Sequence, residues 1–337
     1  MRTLYIHVCQ PKTGTSAIQR FLVDNRDALL AAGLGIGPYM TLANGKSLPL
    51  RRAIAAEGLP AVMAALAASP GDRLVVSSEH LNDTLVDDAR ARAIHAAAAR
   101  HFRPVAIVCL RRQDYWHESL YAQQVKTVFA GSIEAYTAAG IVDRAEYDYD
   151  SGVARLERVF GRDNVRVLLY HETGPRDVIG DFLAATGTRL APGAARDPGR
   201  QNRSPHRRKL LFLAAVPKPD PAIQDLSDLM TAVVQASAAI ADDGGRFLMP
   251  PEGRHRLVAA YAAGNRAVVA RHGLDDRGHF AALPDPAAAD WAPPRPISPR
   301  ERSAVLGEAL RACARLRGHR YRLKMAGKVA ALYVRMR

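Results

Sequence analysis

Short apolar runs alternating with segments of helical length constrain this chain more than any other feature. Leu4-Tyr5-Ile6-His7-Val8-Cys9, Arg73-Leu74-Val75-Val76-Ser77, Pro104-Val105-Ala106-Ile107-Val108-Cys109-Leu110 and Val165-Arg166-Val167-Leu168-Leu169-Tyr170 are apolar, partly β-branched and strand-sized. Between them, residues 16–32 carry Ile18, Leu22, Leu29 and Leu30 at helical spacing, and residues 88–101, 115–130 and 152–160 are helix-compatible. This alternation predicts βαβ units with right-handed crossovers, and so a parallel sheet flanked by helices on both faces. Gly33 stands where the residue just past a helix C-cap belongs, and Gly35, Gly37 and Pro38 confine the next stretch to a turn or short strand. After about residue 187 the strand-like runs stop. Residues 205–216, 222–241 and 252–272 read as helices, then a Pro-rich connection over 283–299 leads to one last basic helix. The expected architecture is an α/β core over 1–204, a helical extension over 205–282 packed on it, and a C-terminal piece over 283–337. The C-terminal half is therefore helical, and no internal repeat interrupts the order.

Residues Pro11-Lys12-Thr13-Gly14-Thr15-Ser16 join the first strand to the first helix. A loop in that place presents free backbone N–H groups and the positive end of the helix dipole, which suit phosphate or sulfate oxygens. Gly14 lets the backbone approach an anion closely, Lys12 adds a mobile positive charge, and Thr13, Thr15 and Ser16 offer hydroxyl donors. The sheet is thus P-loop-like. A Walker A loop, however, places its Lys after a second Gly, whereas Lys12 precedes Gly14 and no other Gly is present, which disfavours ATP hydrolysis.

With Gln10 in front, the loop resembles the 5'-phosphosulfate loop of PAPS-dependent sulfotransferases, PAPS being 3'-phosphoadenosine 5'-phosphosulfate and PAP its product. The resemblance implies that Lys12 contacts the 5'-phosphosulfate and stabilises the leaving oxygen, while Thr13, Gly14, Thr15 and Ser16 bind the phosphate. It also implies an Arg at the end of a later core strand and a Ser eight positions on, both holding the 3'-phosphate; Arg111 and Ser119 stand at that separation. Arg112 is the register alternative. An Arg fork at a strand end and a hydroxyl on the following helix can converge on one phosphate in the sheet crevice. Some bacterial members carry an Asn-x-Ser piece that reaches the nucleotide, and Asn202-Arg203-Ser204 matches it; a basic surface loop including Arg207, Arg208 and Lys209 is the other reading. The likeness continues through Tyr147-Asp148-Tyr149, Gly161-Arg162-Asp163-Asn164-Val165 and Tyr170-His171-Glu172 to about residue 215, in pieces read as scaffold without chemistry. It makes residues 1–204 the PAPS-binding core of a bacterial, carbohydrate-type sulfotransferase.

Sulfuryl transfer needs an acceptor hydroxyl in line with the breaking S–O bond, a base for its proton, and a cation for the leaving group. Ser77-Ser78-Glu79-His80 follows a strand, so its side chains emerge at the same sheet edge as the phosphate loop. Glu79 is the first choice for the base and His80 stays open beside it, since carbohydrate sulfotransferases of this superfamily can use a Glu or a His near this place. His7 reads as a core histidine, and Trp116 and Tyr121 as core aromatics, with stacking on a sugar or adenine as the alternative. His117 is a weaker acid/base candidate. The sequence shows no Cys/His ligand cluster, so no metal is expected, and the implied acceptor is a hydroxyl on a glycan or glycolipid.

A chain of 337 residues with 48% hydrophobic content can bury a large core without disulfides. Cys9, Cys109 and Cys313 have no paired spacing and read as free thiols of a reducing compartment. A secretory signal is not apparent, and no segment nears the roughly 18 apolar residues of a spanning helix, so a cytoplasmic protein is expected. The formal charge of +14 favours an anionic ligand or surface, although an Ala/Arg-rich composition alone also produces it. Arg311, Arg315, Arg317, Arg320, Arg322, Lys324 and Lys328 recur among Leu316, Leu323, Met325 and Leu332. Such a segment is either a solvated terminal helix or a peripheral contact with an anionic inner-membrane face. Two other functions compete. A small-molecule kinase or other nucleotide-dependent transferase lacks the Gly-rich run before Lys12 and an Asp at a strand end. A non-enzymatic binder of acidic polymers or membranes would use the basic C-terminus, and nucleic acid is not an expected partner.

Overall fold

The computed structural model describes residues 1–8, 10–40, 48–172, 177–196, 205–216, 224–288, 291–316 and 319–335. Five parallel strands, β1 (Thr3–Val8), β2 (Leu34–Ile36), β3 (Arg73–Ser78), β4 (Arg103–Leu110) and β5 (Val165–Leu169), form a sheet in the order β2-β3-β1-β4-β5. β1 is central, with Thr3 opposite Arg73 and Arg103, and Val8 opposite Ser78 and Val108. Its side chains alternate between two cores. Leu4, Ile6 and Val8 pack with Leu66, Ile94 and Leu156 of the helices Leu59–Ala67, Asp88–Ala99 and Tyr149–Phe160. Tyr5 packs on the other face with Ile18, Leu22 and Phe182 of the helices Thr15–Asp24 and Val178–Ala185. Both faces are covered, which is why the strands read as near-continuous apolar runs.

Two compact units interleave along the chain. The first, Met1–Gln113, Asp143–Asn202 and Leu257–Leu283, holds the sheet; the second, Asp114–Val142, Arg203–Arg256 and Pro284–Arg337, is helical in its described residues. Several expected helices are interrupted. The helix expected over 16–32 divides at Asn25, whose Nδ2 donates to the Phe21 carbonyl at 2.9 Å and to the Arg196 carbonyl at 3.0 Å. A side chain that bonds the preceding turn competes with the helix ladder. The segment over 252–272 likewise divides, into Pro251–Ala259 and Ala262–His272. Where one basic terminal helix is expected, two form, Pro299–Ala314 and His319–Arg335; Met325, Val329 and Leu332 of the second are buried, whereas Tyr321 and Leu323 are exposed. Two helices between β2 and β3, Leu48–Glu57 and Leu59–Ala67, had no clear sequence signal. Among the described residues, no helix is long and apolar enough to cross a membrane.

Many arginines bond to backbone carbonyls. Arg2 reaches the carbonyls of Ala67, Ser69 and Gly71, and Arg73 those of Ala32, Thr186 and Gly187, where three helices end. Terminal carbonyls of a helix lack partners within it, and a guanidinium with five donors can serve several of them. Arg207 and Arg208 correct the idea of a basic surface loop. They open the helix Arg207–Ala215 and are buried, Arg207 on Asp243 at 2.8 Å and Arg208 on Glu301 at 2.8 Å. Arg208 also donates to the carbonyls of Ala241, Arg295 and Pro296, and so ties the Pro-rich connection to the helix. Arg208→Met would leave those acceptors and Glu301 without their donor. It should lower unfolding stability by about 3 kcal/mol in chemical denaturation, and a loss within measurement error would remove Arg208 from this role.

Candidate active site

The connection from β1 to the helix Thr15–Asp24 is shaped by two left-handed residues, Lys12 at φ 67° and Gly14 at φ 86°. For a non-glycine residue that conformation costs about 1–2 kcal/mol. Gly14 is the helix N-cap, and no side chain caps the helix there, so the first-turn amides face the loop. A Cβ on Gly14 would lie 3.2 Å from both γ-carbons of Val178. The hydroxyls of Thr13 and Thr15 turn inward and donate to the Gln10 carbonyl at 2.7 Å and 3.4 Å. Their protons are thus used inside the loop, leaving their backbone amides as the groups available to an anion. Lys12 and Ser16 are half-buried.

On the β4 side, Gln10 ties the strand ends together. Its Oε1 accepts the Arg111 N–H at 3.2 Å, its Nε2 donates to the Tyr149 hydroxyl at 3.1 Å, and that hydroxyl donates to the Arg111 carbonyl at 2.6 Å. The Arg111 guanidinium donates from Nη1 to the Lys12 carbonyl at 2.9 Å and from Nε to the Glu172 carboxylate, with the Tyr170 ring 4.9 Å away. Arg112, the alternative register, is buried and donates to the His279 carbonyl at 3.1 Å. Arg111, not Arg112, therefore stands at the loop between β1 and the helix Thr15–Asp24. Ser119 is half-buried on the helix Gln113–Thr127, within the second unit. Asn202 and Ser204 lie outside the described residues.

The chain is similar to a solved structure. That protein is a sulfotransferase from Alicyclobacillus acidocaldarius, 18% identical, matched over 82% of this chain and 98% of that one with a TM-score of 0.43. No protein-family model matches the sequence, and no curated protein matches it significantly. What the site can do is therefore read from its own residues.

On the β3 side, Glu79 and His80 open the 3-10 helix Glu79–Leu85 directly after Ser78, the residue opposite Val8 in β1. Glu79 is exposed and His80 half-buried, and the Ser78 hydroxyl accepts the His80 N–H at 3.3 Å. The parallel register thus brings Glu79, His80, Lys12 and Arg111 to the same sheet edge. His7 lies deep in the core, with Nδ1 2.9 Å from the Ser77 hydroxyl, and burial lowers its pKa from 6.5 to about 3. His117 is buried against Thr137 at 2.8 Å, with its pKa lowered to about 4 by burial, and Trp116 and Tyr121 are fully buried. These four side chains belong to the cores of their units. Cys109 and Cys313 are free and buried, and burial pushes the Cys109 thiol up to about 12. Gln10, Tyr149 and Glu172 were not singled out by sequence as functional. The available signal was slight: Glu172 is an acid just beyond a strand end, opposite in sign to Arg111.

Two outcomes follow from this geometry. Gly14→Ala should destabilise the chain by about 1–2 kcal/mol, because Ala resists a positive φ, and it should weaken anion binding; parent-like melting and binding would show that the loop tolerates a Cβ. For His7, the unfolded chain takes up a proton below 6.5 whereas the folded chain does so only near 3. Its contribution to stability is therefore complete above 6.5 and is lost as pH falls from 6.5 toward 3. The drop in melting temperature between about pH 8 and pH 5 should be smaller for His7→Asn than for the parent, and identical drops would count against this assignment.

Proposed function

We propose that this chain is a PAPS-dependent sulfotransferase acting on a hydroxyl of a carbohydrate or glycolipid. The loop from Pro11 to Ser16 carries the proposal: a left-handed Lys12 and a glycine N-cap at the end of the central strand, with Arg111 bonded to the Lys12 carbonyl. The residues fit the group. Gly14 leaves open the space that a Cβ would fill near Val178, the amides of Thr15 and Ser16 begin a helix, and both cations stand at one sheet edge. When bound, PAPS supplies the sulfuryl group and a phosphate leaving group.

Lys12 is assigned to the bridging oxygen, where negative charge grows as the S–O bond breaks. The loop amides hold the 5'-phosphate, Arg111 and Ser119 the 3'-phosphate, and Asn202 and Ser204 further nucleotide contacts. Glu79 takes the proton of the acceptor hydroxyl as its oxygen bonds to sulfur, with His80 as the alternative base. Glu79 is exposed, as a base that must meet an incoming acceptor has to be. The kinase alternative is weaker because Lys12 precedes Gly14 and the β3 strand ends in Ser77 and Ser78 rather than in an Asp. Met325, Val329 and Leu332 of the terminal helix are buried, so these apolar groups are turned away from any membrane surface.

Thermal shift with PAP, and separately with ATP and magnesium, tests the nucleotide; stabilisation by PAP is expected, and ATP-selective stabilisation would overturn the proposal. In assays with labelled PAPS and cell-extract glycans, Lys12→Ala should lower turnover about 100-fold. Glu79→Gln should lower it by about 100-fold while PAP affinity holds; normal turnover would move the base to His80.

A further inference from the structure

Glu172, Arg111 and the Lys12 carbonyl form a continuous chain of polar contacts that ends on the phosphate loop. The side chains are withdrawn from solvent, Glu172 being 1% exposed and Arg111 13%. Arg111 Nε donates to Glu172 Oε1, and Nη1 donates to the Lys12 carbonyl at 2.9 Å. The Arg111 backbone is fixed as well, its N–H on Gln10 Oε1 and its carbonyl on the Tyr149 hydroxyl. A guanidinium is a rigid planar fork. The Nε bond to Glu172 and the Tyr170 ring 4.9 Å away restrict the direction in which Nη1 is aimed. That direction meets the carbonyl of Lys12, the residue whose φ of 67° is unfavourable for a side chain. Such a conformation persists only where its surroundings over-determine it. Among the determinants here are Nη1 on the Lys12 carbonyl and the Thr13 hydroxyl on the Gln10 carbonyl at 2.7 Å.

We propose that Glu172 is a positioning residue for the phosphate loop: through Arg111 it holds Lys12 left-handed and so aims the loop amides at a 5'-phosphate. This rests on the loop being the PAPS site, and it gives Arg111 a task on the 5' side in addition to the 3'-phosphate. Without the carboxylate, a buried guanidinium lacks its charge partner and turns toward other acceptors, releasing the carbonyl.

The test compares PAP, which carries both phosphates, with 5'-AMP, which carries only the 5'-phosphate, by calorimetry on the full chain. Glu172→Ala should weaken 5'-AMP by about tenfold and PAP by at least as much, because the loop is common to both ligands and Arg111 also meets the 3'-phosphate. Glu172→Gln keeps an oxygen opposite Nε and should recover most of that loss. Unchanged affinities, or a loss confined to PAP, would overturn the proposal. Amide hydrogen exchange over residues 12–18 without nucleotide gives a second readout. It should speed up about tenfold in Glu172→Ala, while residues 3–8 stay as in the parent; unchanged exchange overturns the brace. If the parent binds neither nucleotide, the PAPS assignment fails, and the exchange comparison alone decides the brace. Should the Ala variant not fold, Glu172→Gln carries both measurements, with a smaller but measurable loss expected for both ligands.

Discussion

The hydrogen bonding of β1 on both sides, in parallel and in register, is the constraint on which the rest of the site depends. With Val8 opposite both Ser78 and Val108, the chain must leave three adjacent strands at one edge. Parallel pairing of β5 with β4 adds a fourth exit there. Gln10, Glu79, Arg111 and Glu172 are the residues just past those four ends. β1 continues toward β2 on one side of the sheet and β4 toward β5 on the other, which makes the space between β1 and β4 a crevice of the kind where ligands bind in open parallel sheets. The mutual bonds of Gln10, Tyr149 and Arg111 tie the ends of β1 and β4 together, so the loop from Pro11 to Ser16 stands on a fixed base.

The excess of positive charge has a partly internal explanation. With 47 Lys and Arg against 33 Asp and Glu, many cations have no acid to pair with. Arg2 and Arg73 instead spend donors on carbonyls where helices and loops end. These are neutral acceptors, so the formal charge remains while the group's directional bonding is satisfied. Net charge read from composition therefore overstates how many arginines await an anion, and Arg111 is the informative one because its fork touches the loop itself. The electrostatic argument for an anionic ligand accordingly rests on position and not on the total.

Local order in the sequence was legible because local physics decides it. The apolar runs placed the four longer strands to within a residue or two, since a strand buried on both faces has no polar alternation to hide it. Gly33 was recognisable as a helix stop because a residue at φ 80° favours glycine. The phosphate loop was visible for the same reason: Gly14, the hydroxyls around it and Lys12 are neighbours in the chain. Helix interruptions were less legible. Asn25 breaks its helix with the help of Arg196, a partner 171 residues away.

The sequence by itself determined an α/β chain with a Lys- and Gly-containing loop after its first strand, and a Lys/Gly order unlike that of an ATP loop. Tertiary structure decided which charges serve that loop. Arg111 and Glu172 are 61 residues apart, and nothing in the periodicity of either segment says that they meet. Arg207 and Arg208 resemble Arg111 and Arg112 in sequence, yet one pair is consumed by the helical unit and Arg111 of the other bonds the Lys12 carbonyl. Hydrophobic period fixes which face of an element is buried. Which polar group it then confronts depends on strand order and register, and these arise only when the sheet closes around β1.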